Sequence, residues 1–331
     1  MRVLMLSHRD VVAALPPREC AEAMAAVLAA RARGETHMPL RSIMAPQGAA
    51  GIMGLMPSWR GAQQDSGAAF ALKAICVMPG NPARGLDAHQ GTVTLFDGET
   101  GVPTAILDAS AITAVRTAAV SAVATGLLAR PGARTLAILG AGVQGRAHLE
   151  ALATAREFEQ VRVYAPTRAH AQALADEAGL APLAVSVAAS AEDAVRGADV
   201  VVAATNSAEP VLAHSWLKPG AHLNAVGAST PRAREIDTAT VAASALFCDS
   251  RESLRNEAGE FQLAIRERAI AGEEHVRAEL GEVLAGLAPG RMDDGELTLF
   301  RSLGIAVEDL AAAETAVAVA RAQGLGTEVE L

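Results

Sequence analysis

The stretch TLAILGAGVQGRAHLEAL, Thr135 to Leu152, passes from a short apolar run through three glycines into residues of helical spacing. Gly140, Gly142 and Gly145 form G-x-G-x-x-G directly after a predicted strand and at the start of a predicted helix, where each glycine has its own steric task. The first permits a tight turn, the second lets the backbone approach a pyrophosphate, and the third lets the helix pack on the strand. The N-terminus of that helix offers unpaired N–H groups and a partial positive charge to phosphates. A glycine-rich turn in an unrelated α/β protein is the competing explanation, and the surroundings decide against it.

Downstream, apolar runs alternate with amphipathic segments as far as about Ser250: QVRVY, LAVSV, DVVVAAT, HLNAVG and ALFCD lie between helical patterns. Such runs are what a parallel sheet buried on both faces produces, so this part reads as a doubly wound Rossmann domain of the α/β class. The N-terminal part has another texture. Residues 10–33 are expected to form one amphipathic helix, followed by extended pieces punctuated with Gly and Pro: MPLRSIM, GIMGLMP, AFALKAICVM and GTVTLFDGETGVPTAILD. DGETG, Asp97 to Gly101, is predicted to be a hairpin turn. A long helix is expected over Ala109–Ala129, and a final one over Gly304–Gln323 is expected to return to the first domain.

Composition narrows the function classes. A net charge of −9 without a cluster of Lys or Arg argues against nucleic acid as a partner. The most apolar long segment, Val102 to Leu128, is interrupted by Asp108 and Arg116, so no membrane span is expected. The N-terminus lacks the long apolar core of a signal peptide, from which a cytoplasmic location is expected. Cys20, Cys76 and Cys248 are far apart and make no Cys-x-x-Cys pair, so neither a disulfide framework nor a metal site is expected.

Cofactor choice is read at the end of the second Rossmann strand. An NAD site usually places Asp or Glu there for the ribose hydroxyls, whereas this chain has Tyr164-Ala165-Pro166-Thr167-Arg168. Thr167 and Arg168 suit a 2′-phosphate, which favours NADPH, with NADH as the alternative. A solvated first-turn role for Arg168 stays open.

The segments ITAVRTAAVSAVAT, ILGAGVQ, GADVVVAAT, LKPGAHLNAVGASTPRAREID and LFRSLGIAVEDLAAA together resemble the ornithine cyclodeaminase and mu-crystallin family across nearly the whole chain. The resemblance implies a homodimer. Residues 1–125 with 301–331 would form a mixed α+β substrate-binding and dimerization domain, and 126–300 the Rossmann domain. Arg41, Lys73 and Arg116 match the family's substrate-binding cations, Arg116 also lying against the cofactor. His89 and Glu257 match positions near its active site. Thr117, Ala141, Val143, Gln144, Thr205, Val226, Gly227 and Ser229 join Gly140, Gly142, Gly145, Thr167 and Arg168 as the implied cofactor contacts. Three converging cations suit an amino-acid-like or imino-acid carboxylate.

Two departures from the cyclodeaminase pattern are informative. Those enzymes carry Asp where Ser229 stands and Glu before LMP, where this chain has Gly54. Without both carboxylates the proton transfers of deamination are hard to arrange. The NAVGAS version is similar to the ketimine-reductase branch, so reduction of a cyclic ketimine is expected, with Lys73 supplying charge or a proton and Ser229 a hydrogen bond to the imine nitrogen or a water. Cyclodeamination, alanine dehydrogenase-like amination of a 2-oxo acid, and binding of NADPH and a small ligand without turnover are the alternatives.

Overall fold

The computed structural model describes residues 1–63, 66–177, 183–228 and 230–330. The chain divides into two compact units, Met1–Arg116 with Gly304–Leu331, and Thr117–Leu303. In the first unit lie β1 (Arg2–Leu6), β2 (Thr36–His37), β3 (Ser42–Met44), β4 (Ile52–Arg60), β5 (Ala69–Val77), β6 (His89–Asp97) and β7 (Pro103–Asp108). The second holds β8 (Thr135–Leu139), β9 (Gln160–Tyr164), β10 (Ala184–Val187), β11 (Val200–Ala203), β12 (His222–Ala225), β13 (Ala245–Cys248), β14 (Val276–Glu279) and β15 (Thr298–Arg301). The chain then returns to the first unit with β16 (Thr327–Glu330).

The first unit is built on a mixed sheet of order β16-β1-β7-β6-β5-β4-β2, with β3 also paired to β4. β4 to β7 form an antiparallel meander, β1 joins β7 in parallel, and β16 closes the edge against β1. The β6–β7 turn is the expected hairpin: Asp97 Oδ1 accepts from the Thr100 N–H at 2.8 Å, and Gly101 takes φ 71°. One N-terminal helix over 10–33 is not what forms. Two helices do, His8–Ala14 and Pro17–Ala32, because Pro16-Pro17 removes two backbone donors, and proline is tolerated only at a helix start. Along β4 and β5 burial alternates strictly, so Gly54, Met56, Ser58 and Arg60 share one face with Ala71, Lys73 and Ile75. That face is covered by the helix Ala306–Gln323. The opposite face leaves Leu55 and Phe70 exposed, with Trp59 beside Phe70.

The second unit is an all-parallel sheet of order β10-β9-β8-β11-β12-β15-β13-β14. Successive residues of β8 feed opposite faces: Leu136 and Ile138 pack with Leu149, Leu152 and Val163, whereas Ala137 and Leu139 pack with Val201, Leu223 and Phe261. Helices on both faces explain why β11, at the centre of the sheet, is apolar and buried at every position. The strand order reverses between β8 and β11, which in open α/β sheets is where ligands bind, beyond the carboxyl ends of the strands. The apolar runs read from sequence stop at ALFCD, but β14 and β15 follow. β15 is wholly buried between β12 and β13 although it ends in Arg301.

The helix Ala109–Leu128 is long and apolar enough, by length and composition, to cross a membrane, a test that the core helix of a folded domain also passes. Two-thirds of its most apolar stretch is buried inside the fold. Ala118 and Ala122 belong to the cluster around Leu136 and Ile138, so its apolarity is that of a core helix.

Candidate active site

In the first unit the alternation of β5 turns Lys73 inward, where its side chain is 2% exposed. A desolvated cation demands countercharge. It comes from the first turn of the helix Ala306–Gln323. Lys73 Nζ donates to Asp309 Oδ1 at 3.0 Å, and Arg116 donates through Nε to the same oxygen at 3.0 Å and through Nη1 to Glu308 Oε2 at 2.8 Å. Both carboxylates are buried and both lie at the positive end of their helix, which favours their charge. Arg41 Nη2 donates to the Gly304 carbonyl at 2.7 Å. Gly304 takes φ 72°, and a Cβ there would strike the Arg116 guanidinium, so glycine is required on both counts.

The electrostatics follow from this packing. Burial lowers the Lys73 ammonium to about 8, against the attraction of Asp309, with Arg116 and Arg41 lowering it further. For Asp309 burial opposes ionisation, but Lys73, Arg116 and Arg41 prevail and hold the carboxyl below its ordinary value. Asp309 Oδ2 is buried without a hydrogen-bond partner among the described residues. His89, at the start of β6, is lowered by burial and by Lys73 and Arg116, against Asp87. Arg41, Lys73 and Arg116 are thus gathered with the carboxylates of Glu308 and Asp309 in one cluster. Cys20, buried nearby, has its thiol pushed up to about 12 by burial and is inert.

The second unit carries the remaining predicted residues. Gly140 follows β8 with φ 107°, and a Cβ there would meet the Ala204 carbonyl; a Cβ at Gly145 would meet the Gly140 carbonyl. Around Gly142 nothing lies within 4 Å of such a carbon, leaving the backbone open to a ligand. Gly142 is the N-cap of the helix Val143–Ala155 and supplies no side-chain cap, so the first N–H groups of that helix are uncapped by it. Ala141, Val143 and Gln144 complete this loop. Thr167 and Arg168 are exposed beyond β9, with Arg168 opening a helix. Thr205 lies just past β11, and Val226 and Gly227 just past β12, all at carboxyl ends of strands. These features fit a dinucleotide. Thr117 is buried at the first position of this unit. Glu257, half-buried, ends the helix Arg251–Glu257, where the helix dipole disfavours a negative charge. Ser229 lies outside the described residues.

The structure therefore brings Arg41, Lys73, Arg116 and His89 together in the first unit, and places Glu257 and the glycine loop in the second. Sequence reasoning missed Glu308 and Asp309. Their signal was available: two acids in the first turn of AVEDLAAAETAVAVA, a helix so apolar around its circumference that burial of that turn was to be expected.

The sequence profile of the ornithine cyclodeaminase/mu-crystallin family matches residues 1–323. The ketimine reductase mu-crystallin of Mus musculus is 39% identical over 281 residues, 85% of this chain and 84% of that protein. Among solved structures, the Δ1-pyrroline-2-carboxylate reductase of Thermococcus litoralis, in complex with NADH and L-proline, superposes with a TM-score of 0.94 at 35% identity, covering 99% of this chain and 100% of that one. An archaeal alanine dehydrogenase dimer with bound NAD gives a TM-score of 0.92 at 30% identity, with full coverage (100%) of both chains.

Proposed function

Because this chain belongs to the ornithine cyclodeaminase/mu-crystallin family, we propose that it reduces the C=N bond of cyclic imino acids such as Δ1-pyrroline-2-carboxylate or Δ1-piperideine-2-carboxylate, using NADPH. The observation that carries this reading is the gathering of Arg41, Lys73 and Arg116 in one cluster around the buried Lys73 ammonium, a set of donors that suits one carboxylate. The arginines offer donors in a fixed fork and Lys73 a point charge, so the substrate's carboxylate is gripped and its ring oriented. The nicotinamide, when bound, supplies a hydride to C2 of the protonated imine, giving the cyclic amine and the oxidised cofactor. The protein's own work is orientation and electrostatic preorganisation. His89 and Glu257 are assigned to the substrate, and Ser229 to the imine nitrogen or a water.

The dinucleotide is assigned to the uncapped helix end at Gly140, Gly142 and Gly145, with Thr117, Thr205, Val226 and Gly227 toward the nicotinamide. Thr167 and Arg168, with no acid between Tyr164 and Arg168, favour the 2′-phosphate of NADPH. Gly54 supports reduction over cyclodeamination. It shares the inward face of the sheet with Lys73, and glycine there provides no proton-transfer group.

One assay tests these assignments. NADPH oxidation with Δ1-piperideine-2-carboxylate is expected to be rapid, while ornithine with NAD+ yields neither proline nor ammonia. NADPH should outperform NADH in kcat/KM, and Arg168→Ala should erase most of that preference. Ornithine turnover without ketimine reduction would reverse the assignment, and a preference for NADH that survives Arg168→Ala would remove the role given to Arg168. Pyruvate with ammonia in the same assay separates the alanine dehydrogenase alternative, and silence with every substrate would favour a binding protein.

The chain is also assigned a homodimer through the uncovered apolar face of the first sheet, around Leu55, Trp59 and Phe70, since exposed apolar patches of this kind mark interfaces. Light scattering is expected to return twice the mass of one chain at micromolar concentration, and the mass of a single chain would refute it.

A further inference from the structure

The second unit contains a buried carboxyl that no step above uses. Glu235 lies between β12 and the helix Thr238–Ala243 and is fully buried. Its Oε1 accepts from the Thr205 N–H at 2.5 Å, and its Oε2 from the N–H groups of Gly227 at 2.5 Å and Ala228 at 3.2 Å. One side chain therefore ties the loop after β11 to the loop after β12. The contact is close enough that a Cβ on Gly227 would meet both Thr205 and the Glu235 carboxyl.

The tie is itself anchored. The Glu235 N–H donates to Glu260 Oε1 at 3.0 Å, and Glu260 Oε2 accepts from Arg301 Nε at 3.1 Å. Arg301, buried at the end of β15, donates through Nη1 to the carbonyls of Ala225 at 2.9 Å and Ser302 at 2.6 Å. The carboxyl ends of β11, β12 and β15 are thus joined by one buried network. Its outer members, Thr205 and Gly227, are residues assigned above to the cofactor. Gly140 abuts the Ala204 carbonyl, so the glycine loop rests on the same strand end.

We propose that Glu235 is a positioning residue for the nicotinamide half of the cofactor, acting through the backbone of Thr205, Gly227 and Ala228. This rests on the assignment of a dinucleotide to the second unit. A carboxylate is the one side chain that presents two acceptor oxygens and no donor to three N–H groups. Glutamine in its place turns an NH2 toward an N–H and leaves backbone donors unpaired. Protonation has a related consequence, because the protonated oxygen becomes a donor. Burial raises the Glu235 carboxyl to about 7, against the pull of the Thr205 contacts and of Arg301, with Glu260 adding to the rise. Among the described residues, Glu260 and Arg301 are the charged groups that act on it. The grip on the two loops therefore loosens as pH falls through neutrality.

The test compares two ligands at pH 8 by calorimetry, using the full chain and Glu235→Gln: NADPH, and 2′,5′-ADP, which carries the adenosine half alone. The expected result is an NADPH Kd raised at least tenfold with 2′,5′-ADP within twofold of the parent. Equal losses for both ligands would make Glu235 a general scaffold residue and overturn the inference, as would no loss for either. A parent protein that binds neither ligand overturns the cofactor assignment itself, and this inference falls with it. If the variant does not fold, the parent decides: its Kd for NADH, which lacks the titrating 2′-phosphate, should rise by up to about tenfold between pH 8 and pH 6. A flat profile over that range overturns the inference.

Discussion

Replacing Lys73 by Met is expected to lower kcat/KM for Δ1-piperideine-2-carboxylate about a hundredfold while the NADPH Kd stays within about threefold. A charge-assisted hydrogen bond to a substrate carboxylate contributes about 1.5–3 kcal/mol, and 3 kcal/mol corresponds to roughly a 150-fold change. The change also removes one of the three cations of the cluster, and with it a charge that would balance the anion. Folding should survive. Met approximates the lysine stem in volume, and Asp309 Oδ1 still accepts from Arg116 Nε at 3.0 Å. In the parent enzyme the same argument sets the alkaline limb. With burial lowering the ammonium to about 8, the charge is present below that pH and lost above it, so kcat/KM falls about tenfold per pH unit beyond 8. Steady-state kinetics over pH with calorimetric NADPH titration checks both statements, and a loss in Lys73→Met of less than fivefold would remove Lys73 from the site.

Asp309→Asn is expected to damage both the fold and the rate. Removing one partner of a buried ion pair costs about 3–5 kcal/mol, because the other charge is left without compensation. Here Lys73 can escape part of that cost by shedding its proton, so a loss near 3 kcal/mol in urea unfolding is expected. The escape has a kinetic signature. Asp309 is the main attraction opposing burial at Lys73, so its removal drives the ammonium further below 8. The alkaline limb should therefore move to lower pH, and the variant should recover activity relative to the parent as pH falls toward 6. A limb still at about 8 would show that Asp309 does not govern the charge on Lys73.

Much of this architecture was legible because its physics is local. Three glycines between a strand and a helix, followed by apolar runs at helical intervals, specify a doubly wound sheet through steric and burial rules that act within about twenty residues. Lys73 inside AFALKAICV was equally legible, since period-two alternation alone puts it among inward residues. What escaped depends on partners far away in the chain. Asp309 stands 236 residues from the lysine it serves, and in isolation its acids read as ordinary first-turn residues of a helix. β15 escaped for a similar reason. A four-residue strand ending in arginine looks like surface until Glu260 and the Ala225 carbonyl are seen to satisfy the guanidinium. The break at Pro16-Pro17 was local and readable, and the apolar periodicity on either side of it masked it.

The interrupted layout of the first unit bears on how the protein is born. Its strands β1 to β7 are synthesised before the inserted unit, but the helix that covers β4 and β5, with both countercharges of Lys73 and Arg116, and the edge strand β16 follow it in Gly304–Leu331. On the ribosome, at about 5–20 residues per second, Lys73 waits on the order of ten to fifty seconds for Asp309 to be made. Throughout that interval the inward face of β4 and β5 awaits its helix and Lys73 its carboxylate, while the strands of the inserted unit are made in turn, the last of them, β15, ending at Arg301 just before Asp309. The insert can thus condense before the unit that encloses it in sequence. The helix Ala306–Gln323 then docks on a sheet whose insert is already made, and its arrival brings the two carboxylates that Lys73 and Arg116 face.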